Sequence, residues 1–211
     1  MIAFSFILNG CQSSSKQVTK IEKVMDKATE LEKEFSTTQL ELLETRENAR
    51  LLYYDLINLT ISDKDLLHQK IEDGKTYVTK QQQLLDQAEE SFNKAYNTSS
   101  KIEKSIKKMK DDAQKNEATK LLTVMKERKI LMDTFFKDYH ETLQLQKTFY
   151  QQLEDEKIDI GSLNQQILEI NMRTQEMGKI IEEFNQYTRQ YIEAEQDFYR
   201  ASESDEPNYD A

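Results

Sequence analysis

Apolar side chains return every three or four residues along nearly the whole chain. In the first tract they fall at Ile21, Val24, Ala28, Leu31, Phe35, Leu42, Ala49, Leu52, Leu56 and Leu59, with Thr38 and Thr45 in the two gaps. That spacing draws an apolar stripe down one side of a long helix. It predicts a helix over about 16–58. Ser62 or Asp63 then offers an oxygen to cap the next helix.

The second tract carries Leu67, Ile71, Val78, Leu85, Ala88, Phe92, Ala95, Ile102, Ile106 and Met109, with Gly74 and Gln81 on the same seam. Ser100-Lys101-Ile102-Glu103 has the form of a capping box. The apolar phase nevertheless passes through it unchanged, which favours one continuous or kinked helix over 63–110. The third tract, Leu121, Met125, Met132, Phe135, Tyr139, Leu143, Gln146, Phe149 and Leu153, has slipped by half a step. A turn is therefore expected around Asp111 to Asn116, and a helix over 116–156. Asp159-Ile160-Gly161-Ser162 marks the next reversal, with a glycine and then a cap. The last helix, 162–201, carries Leu163, Ile167, Ile170, Met177, Ile181, Phe184, Tyr191 and Phe198.

Four such helices on short connections imply an all-α, elongated, antiparallel up-and-down bundle, a single domain over 12–201. A three-helix arrangement is the alternative. Helices of ~42 residues would make a rod of roughly 60 Å at ~1.5 Å per residue. Composition supports the class: 4 Gly, 1 Pro and 32% charged residues in 211 leave little turn chemistry for a β fold. The acidic stretch 202–211 reads as a flexible tail.

The N-terminus changes the picture. Cys11, the only cysteine, follows a short apolar run, Ile2 to Leu8, in the context Leu8-Asn9-Gly10-Cys11. An apolar run ending in a small residue and a cysteine reads as a lipoprotein signal, residues 1–11, with Cys11 as the acylated residue. No Lys or Arg precedes Cys11, and Asn9 stands where a small or β-branched residue is usual. A true start upstream of Met1 accounts for the missing basic residues. The plainer alternative is an apolar tail with a free thiol.

Net charge is −10, which argues against nucleic-acid binding. The sign is uneven: residues 101–129 hold nine Lys, one Arg and five acids, a net +5. In an up-and-down bundle that stretch returns to the end where the first helix starts. Lys101, Lys104, Lys107, Lys108, Lys110 and Lys115 are then candidates for contact with headgroups or lipid-linked polyanions. A solvated turn balanced by the acidic tail explains the same charges.

Chemistry is scarce. Asp65 and His68 lie one turn apart on a helix, but a di-metal bundle needs two such motifs and two further glutamates. Asp155 to Gly161 fails as a calcium loop: its glycine is one place late and Lys157 takes a ligand position. No cofactor motif or catalytic constellation emerges. Ten Tyr and nine Phe include Tyr53, Tyr54, Phe136, Tyr150, Tyr187 and Tyr199 beside the seams. These suit sugar stacking or, equally, a wide core.

With Leu8-Asn9-Gly10-Cys11, the Ser-rich start and about 200 residues of Gly-poor helical sequence, the chain resembles the YkyA-type lipoproteins of Gram-positive bacteria. The resemblance implies a helical protein, lipid-anchored at the outer face of the membrane, with a proposed affinity for cell wall (peptidoglycan or another wall polymer). It carries no catalytic residues, and only Cys11 transfers. A structural or adaptor protein that binds another protein and has no wall affinity is the alternative.

Overall fold

The computed structural model describes residues 8–57, 64–154 and 159–203, with side chains in the first helix from Lys16 onward. Its elements are α1 (Leu8–Ile57), α2 (Lys64–Ser99), a 3₁₀ turn (Ser100–Ile102), α3 (Glu103–Ile106), α4 (Asp112–Leu153) and α5 (Ile160–Glu203). Among the described residues there is no strand, and the protein is an all-α helical bundle, as the stripes imply. Residues 1–7 of the signal segment, the cap at Ser62 or Asp63, residues 155–158 and the tail from 204 lie outside the described residues.

The tract from α2 to α3 stays helical in backbone through its 3₁₀ turn: φ/ψ is −63°/−38° at Ser99 and −60°/−20° at Lys107. Ser100 and Glu103 form no capping box. The Ser99 hydroxyl instead donates back to Tyr96 O at 3.1 Å, and Ser100 to Asn97 O at 3.4 Å. Hydroxyls bonded to the preceding turn perturb a helix without ending it, and Ile102 and Ile106 stay buried through the join. Four long helical tracts result.

The reversal comes earlier than the polar run suggests. The Asp111 carboxylate accepts the Gln114 N–H at 2.8 Å, and Asp111 O accepts the Lys115 N–H at 3.1 Å. Asp111 thus caps α4, and the polar residues after it are its first turns, not a loop. Likewise Asp159, not Ser162, caps α5: its carboxylate accepts the Gly161 N–H at 3.0 Å. Gly161 has no positive φ and lies in the first turn of the helix.

The chain clusters into two compact units, where the sequence reading treats 12–201 as one domain. Unit 1 comprises Met1–Glu32, Asn93–Met132 and Glu182–Ala211; unit 2 comprises Lys33–Phe92 and Asp133–Ile181. No break in the stripes marks the division, because α1, α2, α4 and α5 each run from one unit into the other. In unit 1, Ile21 and Met25 share a core with Ile102, Ile106, Leu121, Met125 and Phe198. In unit 2 the rings of Phe35 and Phe92 lie 5.0 Å apart and those of Phe92 and Phe136 6.2 Å apart, linking α1, α2 and α4. Each large side chain fully withdrawn from water contributes about 1.5–3 kcal/mol.

Candidate functional site

Unit 1 joins the start of α1 to the lysine-rich turn. Val18, Ile21 and Met25 belong to the same core cluster as Ile102, Ile106 and Met109. Lys101 in the 3₁₀ turn and Lys104, Lys107, Lys108 and Lys110 on and after α3 are exposed, and Lys115 at the start of α4 is half-buried. Lys107 bonds Glu103 at 2.8 Å, which with Lys126 holds the Glu103 carboxyl below the usual carboxylate range. Cys11 lies in the described backbone of α1, and its side chain lies outside the described residues. The structure therefore brings the lysine-bearing turn to the part of unit 1 where Val18 to Met25 of α1 pack.

The same unit hides an arginine. Arg128 is 5% exposed; its two terminal nitrogens each lie 3.3 Å from a Glu32 carboxylate oxygen. Its guanidinium also sits 4.6 Å from the ring centre of Tyr191 and 5.1 Å from that of Phe184. Burial, then the neighbouring Glu32 and Asp26, push the Glu195 carboxyl upward, while Arg128 draws it down. Arg128 fills the stripe position between Met125 and Met132, a signal that the sequence reading passed over because the residue is charged.

Unit 2 holds a cavity of about 620 Å³ lined from α1, α4 and α5, with Gln81 of α2. From α1 come Arg46, Arg50, Tyr53 and Tyr54; from α4, Gln146, Phe149 and Tyr150; from α5, Ile170 and Asn171. The rings of Tyr53 and Tyr54 lie 6.0 Å apart and those of Tyr53 and Phe149 6.1 Å apart. Burial pushes the Tyr150 phenol up to about 12, and burial followed by Tyr54 raises that of Tyr53, so both are neutral hydroxyls at pH 7. Arg50 is engaged by Glu47, its Nε 2.8 Å from the carboxylate. Arg46 is half-buried over the Tyr139 ring, 6.0 Å from its centre, and makes no ion pair among the described residues. The α5 seam is thinnest here: Leu163, Ile167 and Ile170 are only half-buried.

Of the aromatic residues flagged from sequence, Tyr53 and Tyr54 line this groove partly exposed, and Tyr187 and Tyr199 are half-buried. Phe136 and Tyr150 are instead 1% and 5% exposed, packed into the core. Arg46 escaped the sequence reading, although its place next to the seam residue Thr45 was the available signal.

Neither histidine builds a metal site. Asp65 and His68 are exposed on α2. Gln82 donates to His140 Nδ1 at 2.9 Å, which leaves Nε2–H to donate to Glu89 at 3.0 Å. Both ring nitrogens are thus spent tying α4 to α2. No group of three or more His, Cys, Asp or Glu converges as a metal site among the described residues. Among them, too, no helix is long and apolar enough to cross a membrane.

Comparison with known proteins agrees with this helical, motif-poor picture. A crystal structure of a conserved protein of unknown function from Staphylococcus aureus shares the fold, with a TM-score of 0.71 at 18% identity, over 92% of this chain and 98% of that one. The uncharacterized lipoprotein YkyA of Bacillus subtilis (strain 168) is 28% identical over 200 residues, 95% of this chain and 89% of the relative. Residues 16–201 match the model of a family described as "Putative cell-wall binding lipoprotein". That match spans both units and starts just after Cys11, and by it the chain belongs to the YkyA family.

Proposed function

We propose that this protein is a non-enzymatic lipoprotein, tethered by acylated Cys11 at the outer face of the membrane, whose helical body binds cell-wall polymer. The observation that carries the reading is the shared core of Val18, Ile21 and Met25 with Ile102, Ile106 and Met109. It supports an arrangement in which the chain leaving the anchor and the exposed lysines 101–110 meet the same surface. Basic residues near an anionic surface contribute about 1 kcal/mol each. They would act as a second membrane contact beside the acyl chains, since stable anchoring takes more than one signal. Family membership supports the lipoprotein character and the wall as the partner.

The test pairs fractionation with pelleting. Purified full-length protein is incubated with peptidoglycan, with and without its attached polyanions, and spun. Saturable pelleting is expected; a supernatant unchanged on both materials would leave only a tethered helical body. Replacing Lys104, Lys107 and Lys108 with Gln should weaken binding to anionic vesicles and flatten its salt dependence.

A further inference from the structure

The groove of unit 2 mixes groups that no single simple ligand would need together. Its 620 Å³ falls within the roughly 300–1,000 Å³ usual for ligand sites. Tyr53 and Tyr54 line it with aromatic rings, the Arg50 guanidinium lying over one face of Tyr54, 5.2 Å from its centre. Gln146 and Asn171 offer amide donors and acceptors, and Ile170 offers an aliphatic wall. Sugar rings present this combination in reverse, with a C–H face for an aromatic ring and a polar rim for amides. Arg46 adds a demand for negative charge. Arg46 and Arg50 share one acid, Glu47, which also lines the groove and whose carboxyl both arginines hold down, so the lining keeps one positive charge in excess. An incoming carboxylate balances it with hydrogen bonds shorter and stronger than neutral ones. Arg50, by contrast, is already satisfied by Glu47.

We propose that this groove binds a strand of N-acetylated amino sugars bearing a carboxylate. Tyr53 and Tyr54 take the sugar faces, Gln146 and Asn171 the acetamido group, and Arg46 the carboxylate. The assignment deepens the wall-binding reading above and rests on it for the source of the strand. A polyol phosphate would meet Arg46 but has no flat face for the tyrosines. An apolar helix would meet the tyrosines and leave Arg46, Gln146 and Asn171 unpaired.

The experiment is calorimetric titration of the full-length protein with three probes. These are an oligomer alternating N-acetylglucosamine with carboxylated N-acetylmuramic acid, the uncharged tetramer of N-acetylglucosamine, and poly(glycerol phosphate). The carboxylated oligomer should bind saturably and best. Arg46→Gln should weaken it about tenfold or more, the usual size of losing a charged hydrogen bond, and leave the uncharged tetramer unaffected. Tyr54→Ala, at a residue 47% exposed, should weaken both sugars while the urea midpoint stays put. Asn171→Asp should weaken both sugars, and the carboxylated probe more. Variants that bind like the wild type, or a preference for the polyol phosphate, would overturn the assignment. Wall pelleting run in parallel separates the two readings. Pelleting that survives Arg46→Gln and Tyr54→Ala removes the groove and keeps wall binding; oligomer binding without pelleting keeps the groove and removes the wall. Absence of both removes both.

Discussion

Gly74 on α2 and Tyr150 on α4 interlock: the tyrosine ring occupies the space that a side chain at 74 would need. A Cβ built there would come within 2.8 Å of three ring atoms. Tyr150 is 5% exposed, so moving its ring aside breaks core packing even though one edge borders the groove. Gly74→Ala is therefore expected to destabilise the protein by about 1–3 kcal/mol, the range for overpacking a filled core. Gly178 on α5 meets nothing within 4 Å, so Gly178→Ala should stabilise by about 0.5–1 kcal/mol through helix propensity. Urea unfolding of the two variants side by side checks the pair. A Gly74→Ala midpoint at or above that of the wild type would contradict the interlock.

Arg128 sets a second test. Removing one partner of a buried ion pair is costly, about 3–5 kcal/mol when the survivor stays buried. Glu32 retains a side-chain exposure of 32%, so Arg128→Ala should fall near the lower end of that range. Arg128→Met keeps the stem but loses the guanidinium that lies over Tyr191 and Phe184, so it should recover only part of the loss. A double cycle with Glu32→Gln, read by thermal melting, isolates the coupling between the charges.

Tyr139 and Gln81 form a buried polar pair, the phenol donating to Gln81 Oε1 at 2.8 Å. Tyr139→Phe strands that oxygen, and Gln81 is 1% exposed. A loss of about 1–3 kcal/mol is expected. Adding Gln81→Leu to Tyr139→Phe removes both partners and should restore part of it, as urea midpoints would show. The phenol itself, pushed up to about 12 by burial, stays neutral across the working range.

Glu195 supplies the pH dependence. Its pKa is raised in the folded state, by burial first and then by Glu32 and Asp26, against the pull of Arg128. The protonated form is thus the one the fold favours. Its contribution is fully present below the unfolded carboxylate value and is lost as pH rises through the higher folded value. Glu195→Gln mimics the protonated form, so it should raise the melting temperature at pH 7. The gap from wild type should close on acidification to pH 4. A gap that stays constant with pH would contradict the raised value.

Much of this fold was legible because periodicity survives residue substitution. Thr38, Thr45 and Gln81, read as seam positions despite being polar, are 8%, 1% and 1% exposed. The phase running unbroken from Phe92 to Met109 correctly outweighed the serine-rich interruption, because hydroxyls there bond up the helix and do not end it. Caps were harder. Asp111 and Asp159 start their helices with carboxylate-to-amide bonds, and a polar run in sequence looks the same whether it is a loop or a first turn. Least legible was anything set by packing between helices. Met25 is buried where the stripe named Val24; Arg128 lies inside; and the groove exists only because α5 packs thinly around Ile167 and Ile170. Cys11 was readable only as a local motif, and its side chain lies outside the described residues.

The tether is what the functional reading depends on most. The direct measurement feeds labelled fatty acid to a Gram-positive host such as Bacillus subtilis expressing the full-length chain or its Cys11→Ala variant, and follows label and protein through membrane and medium. Label on the wild-type chain in the membrane, with the variant unlabelled and released to the medium, is the expected result. An unlabelled wild-type chain, or a variant that still enters the membrane fraction with its label, would contradict it.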